Sequence, residues 1–195
     1  MAAPSPLQCG KYYHVFNRGN NREDIFAEER NYAYFLRLYA RHIEPIADTF
    51  AYCLMRNHFH LLVRIKDLIG LLDLSGLRHP SQHFSNLFNA YTKAFNRTYH
   101  RTGALFQRPF GRVEVTSEAY LAGLVVYIHR NPQKHGFVAD FREWPYSLYH
   151  TLLLTQPTRL KREQVLDWFG GPMDLAAAHQ REIGEWEVLD LAAED

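Results

Sequence analysis

The sequence predicts an α+β protein in which helices pack on one face of an antiparallel sheet. Two observations lead to this class. Short segments that alternate apolar and polar residues, or that are rich in Val and Ile, are typical of strands. Longer segments with apolar residues three and four positions apart indicate helices between them. With 195 residues, of which 47% are hydrophobic and 14% aromatic, the chain can supply a real core and is not of the disordered class.

The first predicted elements are a strand and a helix. Residues 12–18 alternate aromatic or apolar with polar side chains, and the turn-forming residues 19–21 follow them. Residues 27–46 repeat apolar side chains at the helical spacing, and Pro45 marks the end of that helix.

A hairpin carries the next two strands. Residues 49–55 and 58–66 are predicted as strands that Arg56 and Asn57 connect. In the second of them, His58 and His60 point to the same face of the sheet, because side chains alternate along a strand. Two imidazoles on one face of a rigid strand form half of a divalent-metal site. Taken alone, the pair is equally compatible with a structural or solvent-facing role.

The following elements complete the sheet. Residues 81–101 form a predicted second helix with an aromatic stripe, and residues 105–107 and 112–116 are predicted as short strands. The order β-α-β-β-α-β-α is that of a ferredoxin-like, or split βαβ, sheet. In that topology the first and third strands are central neighbours, so the histidine pair is expected in the middle of the sheet.

The third helix is predicted from residue 118 to 131, with Ser117 as its N-cap and Pro132 as its stop. Tyr127 and Asn131 are four residues apart, so they lie one turn apart on one face. If that face meets the strand with the histidines, two imidazoles, one amide oxygen and one hydroxyl nucleophile come together. Such a set suits Mg²⁺ or Mn²⁺ with open positions for phosphate oxygens.

A basic segment indicates a nucleic-acid partner. The segment from Leu74 to Val113 contains six Arg or Lys residues, many aromatic residues and no carboxylate. This combination suits a phosphate backbone and unstacked bases, although a solvated basic face over an aromatic core would give the same pattern. The candidate DNA contacts are Arg18, Asn20, Arg22, Lys93, Arg97, Arg101, Arg108 and Arg112.

The charge distribution also suggests a division of the chain. Of the 21 Asp and Glu residues nine follow residue 162, whereas only one of the 22 Lys and Arg residues does. We therefore predict a domain over residues 1–150 and an acidic helical extension over residues 151–195, with helices at 162–169 and 172–191. No apolar run is long enough to span a bilayer, and two cysteines are too few for a disulfide scaffold. A cytoplasmic, nucleoid-associated location without a membrane partner is the expectation.

Four motifs in a fixed order resemble a known family. They are the segment 12–19 (YYHVFNRG), the triplet 58–60 (HFH), the segment 103–107 (GALFQ) and the segment 127–132 (YIHRNP). Together they resemble the single-tyrosine transposases of the IS200 type, and most closely the REP-associated tyrosine transposases. Relaxases use a similar histidine pair but carry their tyrosine near the N-terminus, whereas here the tyrosine follows the histidines.

The resemblance implies nicking and rejoining of single-stranded DNA at imperfect, REP-like hairpins through a 5′-phosphotyrosine link. It makes Tyr127 the nucleophile, His58 and His60 ligands of Mg²⁺ or Mn²⁺, and Asn131 the third ligand. Members of the family commonly have Gln at the position of Asn131, and the shorter side chain of Asn could place the amide differently. Both a monomer and a homodimer are compatible with the sequence.

Other interpretations are open at this stage. A DNA- or RNA-binding regulator without chemistry could use the same fold. A metallohydrolase is disfavoured, because Leu62 stands where the acidic ligand would be expected. Tyr120 lies two turns before Tyr127 on nearly the same helical face, but Leu124 at its plus-four position favours packing. His129 is interpreted as a surface or DNA-facing residue, and Asn131 could merely cap the helix.

Overall fold

A four-stranded antiparallel sheet forms the centre of the molecule. The computed structural model describes residues 6–67 and 79–181. The strands are β1 (Tyr12–Arg18), β2 (Ala47–Leu54), β3 (His58–Ile65) and β4 (Gly111–Val115). They lie in the order β2-β3-β1-β4, and every neighbouring pair is antiparallel. This confirms the α+β class, the ferredoxin-like strand order and the central position of β3.

Six α-helices and two short 3₁₀ helices connect and follow the strands in the described ranges. The α-helices are α1 (Glu29–His42), α2 (Pro80–Thr98), α3 (Glu118–Lys134), α4 (Tyr149–Leu153), α5 (Arg162–Phe169) and α6 (Pro172–Ala178). The 3₁₀ helices are Asn20–Arg22 and Phe141–Glu143. Among the residues that the structure describes, no helix combines the length and the apolar character that crossing a membrane requires.

The helices cover both faces of the sheet, which corrects the prediction that they pack on one face. On the first face, the Phe59 ring of β3 packs against Phe35 of α1 and Phe88 of α2. On the second face, Leu62 of β3 belongs to the apolar cluster of α3, α5 and α6. The sequence carried a sign of this arrangement, since Leu61, Leu62 and Val63 form a continuous apolar run, which is typical of strands covered on both sides.

Several element boundaries also differ from the predictions; α1, for example, ends at His42 rather than at residue 46. Residues 105–107 do not form a strand, because only Phe106 makes an isolated bridge, to Gly19. Helix α3 does not stop at Pro132 but continues to Lys134, with His135 as its C-cap. The missing N–H of proline removes one helical hydrogen bond, and here the helix continues because His135 N–H still reaches the carbonyl of Asn131 at 2.9 Å.

The described part of the C-terminal extension packs onto the second face. Val165 and Leu175 are fully buried in the cluster of that face. The Trp168 ring stacks on Phe50 of β2, with ring centroids 5.2 Å apart. Helix α6 ends at Ala178, so residues 179–181 do not continue the helix that was expected over 172–191, and residues beyond 181 lie outside the described ranges. The domain boundary at residue 150 stays a prediction.

His129 is buried rather than at the surface, which corrects its interpretation as a surface or DNA-facing residue. Its side chain is completely buried, and its Nδ1 lies 2.9 Å from Nε2 of His179, just after α6. The rings of Phe141 and Tyr149 surround the pair. Burial lowers the pKa of His129 well below its usual value, with smaller contributions from His179 and His150. The pair therefore joins α6 to the rear of α3 as two neutral imidazoles.

The second of these histidines is expected to make the fold sensitive to acid. Burial lowers the pKa of His179 to about 4, whereas an unfolded histidine titrates near ~6.5. As the pH falls below the unfolded value, the unfolded chain binds a proton that buried His179 does not, so the native state loses stability. We expect the free energy of unfolding to fall by about 2 kcal/mol from this residue between pH ~7 and pH ~5, measured by urea denaturation. His179→Leu should flatten this dependence, and an equally steep loss in that variant would contradict the prediction.

Candidate active site

Two buried histidines of β3 form the floor of the candidate site. His58 and His60 lie on the second face of the sheet and are 4% and 2% exposed. Their ring centroids are 5.3 Å apart. Nδ1 of His58 lies 2.6 Å from Oδ1 of Asn57, and Nδ1 of His60 lies 2.9 Å from Nε2 of His14. Because an amide oxygen only accepts hydrogen bonds, Nδ1 of His58 is the protonated nitrogen and Nε2 carries the lone pair.

Helix α3 crosses this floor with the face that bears Tyr127 and Asn131. The Tyr127 ring lies edge-on to the ring of His60 at 5.6 Å between centroids. Two turns further on, the ring of His135 lies 4.7 Å from that of His58. Asn131 is placed midway between these two contacts on the same face of the helix. The structure therefore brings together Tyr127, His58 and His60, with Asn131 on the helix face above them.

Packing and capping hold α3 in this position. The hydroxyl of Ser117 accepts a hydrogen bond from the backbone N–H of Tyr120 at 3.2 Å, so the predicted N-cap is present. Leu124, Val125 and Ile128 are fully buried in the cluster that also contains residues of β2 and β3. Tyr120 packs against the same cluster, in agreement with its interpretation as a packing residue.

Sequence reasoning missed three cationic or titratable neighbours of the site. His14 of β1 is fully buried beside His60. It shares the face of His60, since Phe16 is the direct partner of His60 and lies two positions further along β1. The alternation of side chains along β1 was therefore the sequence signal that could have identified His14. Lys134, whose Nζ lies 5.2 Å from the Tyr127 ring centroid, and His135 were missed because Pro132 was expected to end the helix.

The donor atoms fit a cation held by two imidazoles and one amide oxygen. Asn131 is fully buried, and its Nδ2 donates to the carbonyl of Tyr127 at 3.1 Å. Its Oδ1 has no hydrogen-bond partner among the described residues. A buried oxygen of this kind is costly unless an ion or a water satisfies it. In the same ranges no three His, Cys, Asp or Glu side chains converge as a metal site.

Two adjoining cavities lead to the histidines. The smaller one has a volume of about 130 Å³ and is lined by His58, His60 and Arg18, among others. The larger one, about 370 Å³, lies between α2 and the segment 104–112. Both are lined by Asn17, Gln107 and Pro109. A ligand in the larger cavity can therefore extend towards the histidine pair.

A glycine keeps the smaller cavity in shape. Gly111 of β4 pairs with Phe16 of β1. A Cβ atom at position 111 would lie 2.1 Å from carbon atoms of the Phe16 ring, far inside van der Waals contact. Both residues line the cavity, so a larger residue at 111 would displace the ring beside His60.

Of the eight predicted DNA contacts, three line these cavities and a fourth is exposed at the surface. Arg18 lines the smaller cavity, and Arg108 and Arg112 line the larger one. The guanidinium of Arg112 lies over the Phe110 ring at 4.7 Å, and burial lowers the pKa of Arg112 from its usual value. Arg22, at the end of the first 3₁₀ helix, is exposed.

The other four predicted contacts fall into two groups. Lys93 and Arg97 are exposed on α2. Asn20 donates a hydrogen bond to the carbonyl of Ala104 at 2.9 Å. Arg101 forms an ion pair with Glu23 and also binds the Asn96 side chain. The last two side chains thus already connect the loop after β1 to the loop after α2, a structural role that sequence reasoning did not foresee.

The chain is similar in sequence and in fold to the class to which the sequence motifs pointed. No known family profile matches the chain. A REP-associated tyrosine transposase of Haemophilus influenzae is 29% identical over 105 residues, which is 53% of this chain and 59% of the relative. The chain thus spans about three fifths of the length of that relative.

A solved structure shares the fold. It is a REP-associated tyrosine transposase bound to a REP hairpin, and it superimposes with a TM-score of 0.58 over 77% of this chain and 83% of that one. The two sequences are 18% identical, so this likeness concerns the fold. The sequence relative and the structural neighbour confirm the resemblance to REP-associated tyrosine transposases that the four motifs indicated.

Proposed function

We propose that this protein nicks single-stranded DNA at hairpins and transfers the strand through a 5′-phosphotyrosine intermediate, in a metal-dependent reaction. The observation that carries the proposal is the contact between Tyr127 and the buried His60, across the interface of α3 and β3. The relative and the structural neighbour support it, since both are named REP-associated tyrosine transposases and the neighbour is bound to a REP hairpin.

In this reaction the phenol oxygen of Tyr127 attacks the scissile phosphorus. A phosphorus–oxygen bond to the tyrosine forms while the bond to the 3′-oxygen of the preceding nucleotide breaks. The phenol gives up its proton, and the leaving 3′-oxygen takes one. Because the covalent link conserves the bond energy, attack by another 3′-hydroxyl rejoins strands without ATP.

The residues around Tyr127 have distinct roles in the proposal. Nε2 of His58 and of His60 and Oδ1 of Asn131 would hold Mg²⁺ or Mn²⁺, which when bound supplies polarisation of the scissile phosphate and charge neutralisation. Lys134 places a positive charge near the Tyr127 ring. That charge favours both the developing phenolate and the approach of a phosphate.

The two cavities offer a path for the DNA strand. The walls of the larger cavity carry hydroxyl and amide groups, including Ser85, Asn89 and Thr92, beside the guanidinium groups of Arg108 and Arg112. Unpaired bases can satisfy their donors and acceptors on such walls, and the arginines can neutralise phosphates. The absence of any carboxylate between Leu74 and Val113 in the sequence adds to the attraction.

A denaturing gel tests the proposal directly. The protein is incubated with labelled hairpins taken from DNA that flanks its gene, each with a single-stranded extension. Parallel reactions contain Mg²⁺, Mn²⁺ or EDTA, and a fully paired duplex without a hairpin serves as the control. We expect a protein–DNA adduct that survives denaturation, together with a free 3′-hydroxyl fragment, only with a hairpin and a divalent metal. Absence of any adduct with a hairpin that the protein binds would refute the enzymatic proposal.

One observation favours a second candidate, a DNA- or RNA-binding regulator without chemistry. The Tyr127 side chain is only 3% exposed and Asn131 is fully buried. A phosphodiester must therefore enter through the smaller cavity, or α3 must move, before the tyrosine can attack. Tight hairpin binding without an adduct in any metal condition would support this regulator.

The cavity arginines are expected to contribute to DNA binding through charge. Arg112→Gln should weaken hairpin binding and reduce the slope of log affinity against log salt by about 1, because one phosphate contact is lost. Fluorescence anisotropy at several salt concentrations measures both quantities. Arg41→Gln, an exposed arginine in the last turn of α1, is the matched control. If the salt dependence of binding had the same slope in both variants, the DNA would have to bind away from Arg112.

A further inference from the structure

A third histidine stands behind the candidate metal site. His14 is completely buried, and its Nε2 lies 2.9 Å from Nδ1 of His60, which is itself 2% exposed. The planes of the two rings are inclined by 20°, and their centroids are 5.1 Å apart. No step of the reaction proposed above uses His14.

The direction of this hydrogen bond decides what His60 can do. If His14 donates, Nδ1 of His60 is the acceptor, and its Nε2 then carries the proton and cannot bind a cation. If Nε2 of His14 accepts, the proton sits on Nδ1 of His60 and Nε2 of that residue carries a lone pair. Only the second arrangement makes His60 a ligand.

We propose that His14 is a positioning residue, which accepts the hydrogen bond of His60 and so holds that imidazole in the tautomer and orientation that bind a divalent metal. The inference rests on the proposed function, because it assumes that His60 is a ligand. Ligating histidines generally donate their other ring N–H to such an outer partner, and loss of the partner typically weakens metal binding about 10–100-fold.

The surroundings of His14 support a fixed orientation rather than a ligand role. Its ring lies between Phe16, at 5.0 Å, and the edge of the Tyr127 ring, at 6.1 Å between centroids. These contacts restrict the rotation of the imidazole. His14 and the two histidines of β3 do not converge as a three-ligand site within the described residues. His14 therefore acts on the metal through His60.

Two substitutions separate the hydrogen bond from the packing. His14→Phe keeps a flat ring but removes the acceptor, whereas His14→Gln places an amide oxygen near the former Nε2. The control is His129→Phe, which removes one member of the other buried histidine pair, on the far side of α3. Binding of Mn²⁺ to the full chain is measured by electron paramagnetic resonance at a fixed pH, with circular dichroism as the check of folding.

We expect His14→Phe to weaken Mn²⁺ binding about 10–100-fold, His14→Gln to recover most of the loss, and His129→Phe to leave the affinity within about twofold. A folded His14→Phe protein with unchanged Mn²⁺ affinity would overturn the proposal. Equal losses in the Phe and Gln variants would overturn it as well, because they would show that only the shape of the imidazole matters.

A second readout does not depend on the metal. In the long-range ¹H–¹⁵N spectrum of the histidines without added metal, we expect His60 of the wild-type protein to show the tautomer protonated at Nδ1. His14→Phe should shift the population towards protonation at Nε2, and His14→Gln should restore it. A wild-type His60 protonated at Nε2 would refute the role of His14. Failure of the wild-type protein to bind Mn²⁺ would instead refute the metal-dependent function, while the spectrum would still decide the hydrogen bond.

Discussion

Tyr127→Phe is expected to abolish the covalent DNA adduct and leave hairpin binding within about twofold. The substitution removes one oxygen atom and keeps the ring that packs against His14 and His60. The proposed nucleophile is lost, so no phosphotyrosine link can form at this position. The adduct is measured on a denaturing gel and hairpin binding by fluorescence anisotropy.

The matched control for this prediction is Tyr120→Phe. Tyr120 lies on the same helix two turns earlier and packs against the apolar cluster of the second face. The control protein should form the adduct at the wild-type rate. An adduct that persists in the Tyr127 variant and disappears in the Tyr120 variant would assign the chemistry to Tyr120.

His58→Ala is expected to lower metal-dependent cleavage about a hundredfold or more, with hairpin binding largely retained. The change removes one imidazole of the pair and leaves the apolar packing of β3 on the first face intact, because that packing depends on Phe59 and its neighbours. Cleavage is followed by the appearance of the free 3′-hydroxyl fragment over a range of Mn²⁺ concentrations. A higher Mn²⁺ requirement, rather than weaker DNA binding, identifies the lost ligand.

An exposed histidine provides the comparison. His150 lies at the surface, where its Nε2 is 2.6 Å from the carbonyl oxygen of Arg142. His150→Ala should cleave as the wild-type protein does. If the wild-type protein cleaved at full rate in excess chelator, the reaction would not depend on a metal.

Much of the fold was predictable because local patterns determine it. The alternation in β1 gave its bounds, Tyr12–Arg18, and the acidic helix α5 was expected over the residues that it occupies. The histidine pair and the tyrosine–asparagine pair were identified from the periods of a strand and a helix alone. From the sequence, their meeting across α3 and β3 was a condition rather than a prediction, and in the structure the Tyr127 and His60 rings lie 5.6 Å apart.

The parts that could not be predicted depend on tertiary contacts. The alternation within a strand cannot tell which element covers its second face, so the packing of α3 opposite α1 and α2 was missed. The pairing of His14 with His60 joins two strands that are 46 residues apart. Likewise, His129 is a polar residue that is expected at the surface. It is buried in the core because His179, at the end of α6, contacts it.

Gly111 shows that a residue without a side chain can shape the candidate site. Its hydrogen atom faces the Phe16 ring at a distance that no side chain could share. Any substitution there would displace the Phe16 ring, which lines the smaller cavity beside His60. If Tyr127 acts as proposed, inactivating substitutions are expected at Gly111 as well as at Tyr127. An assay that measures DNA binding separately from bond formation would distinguish a blocked cavity from a missing nucleophile.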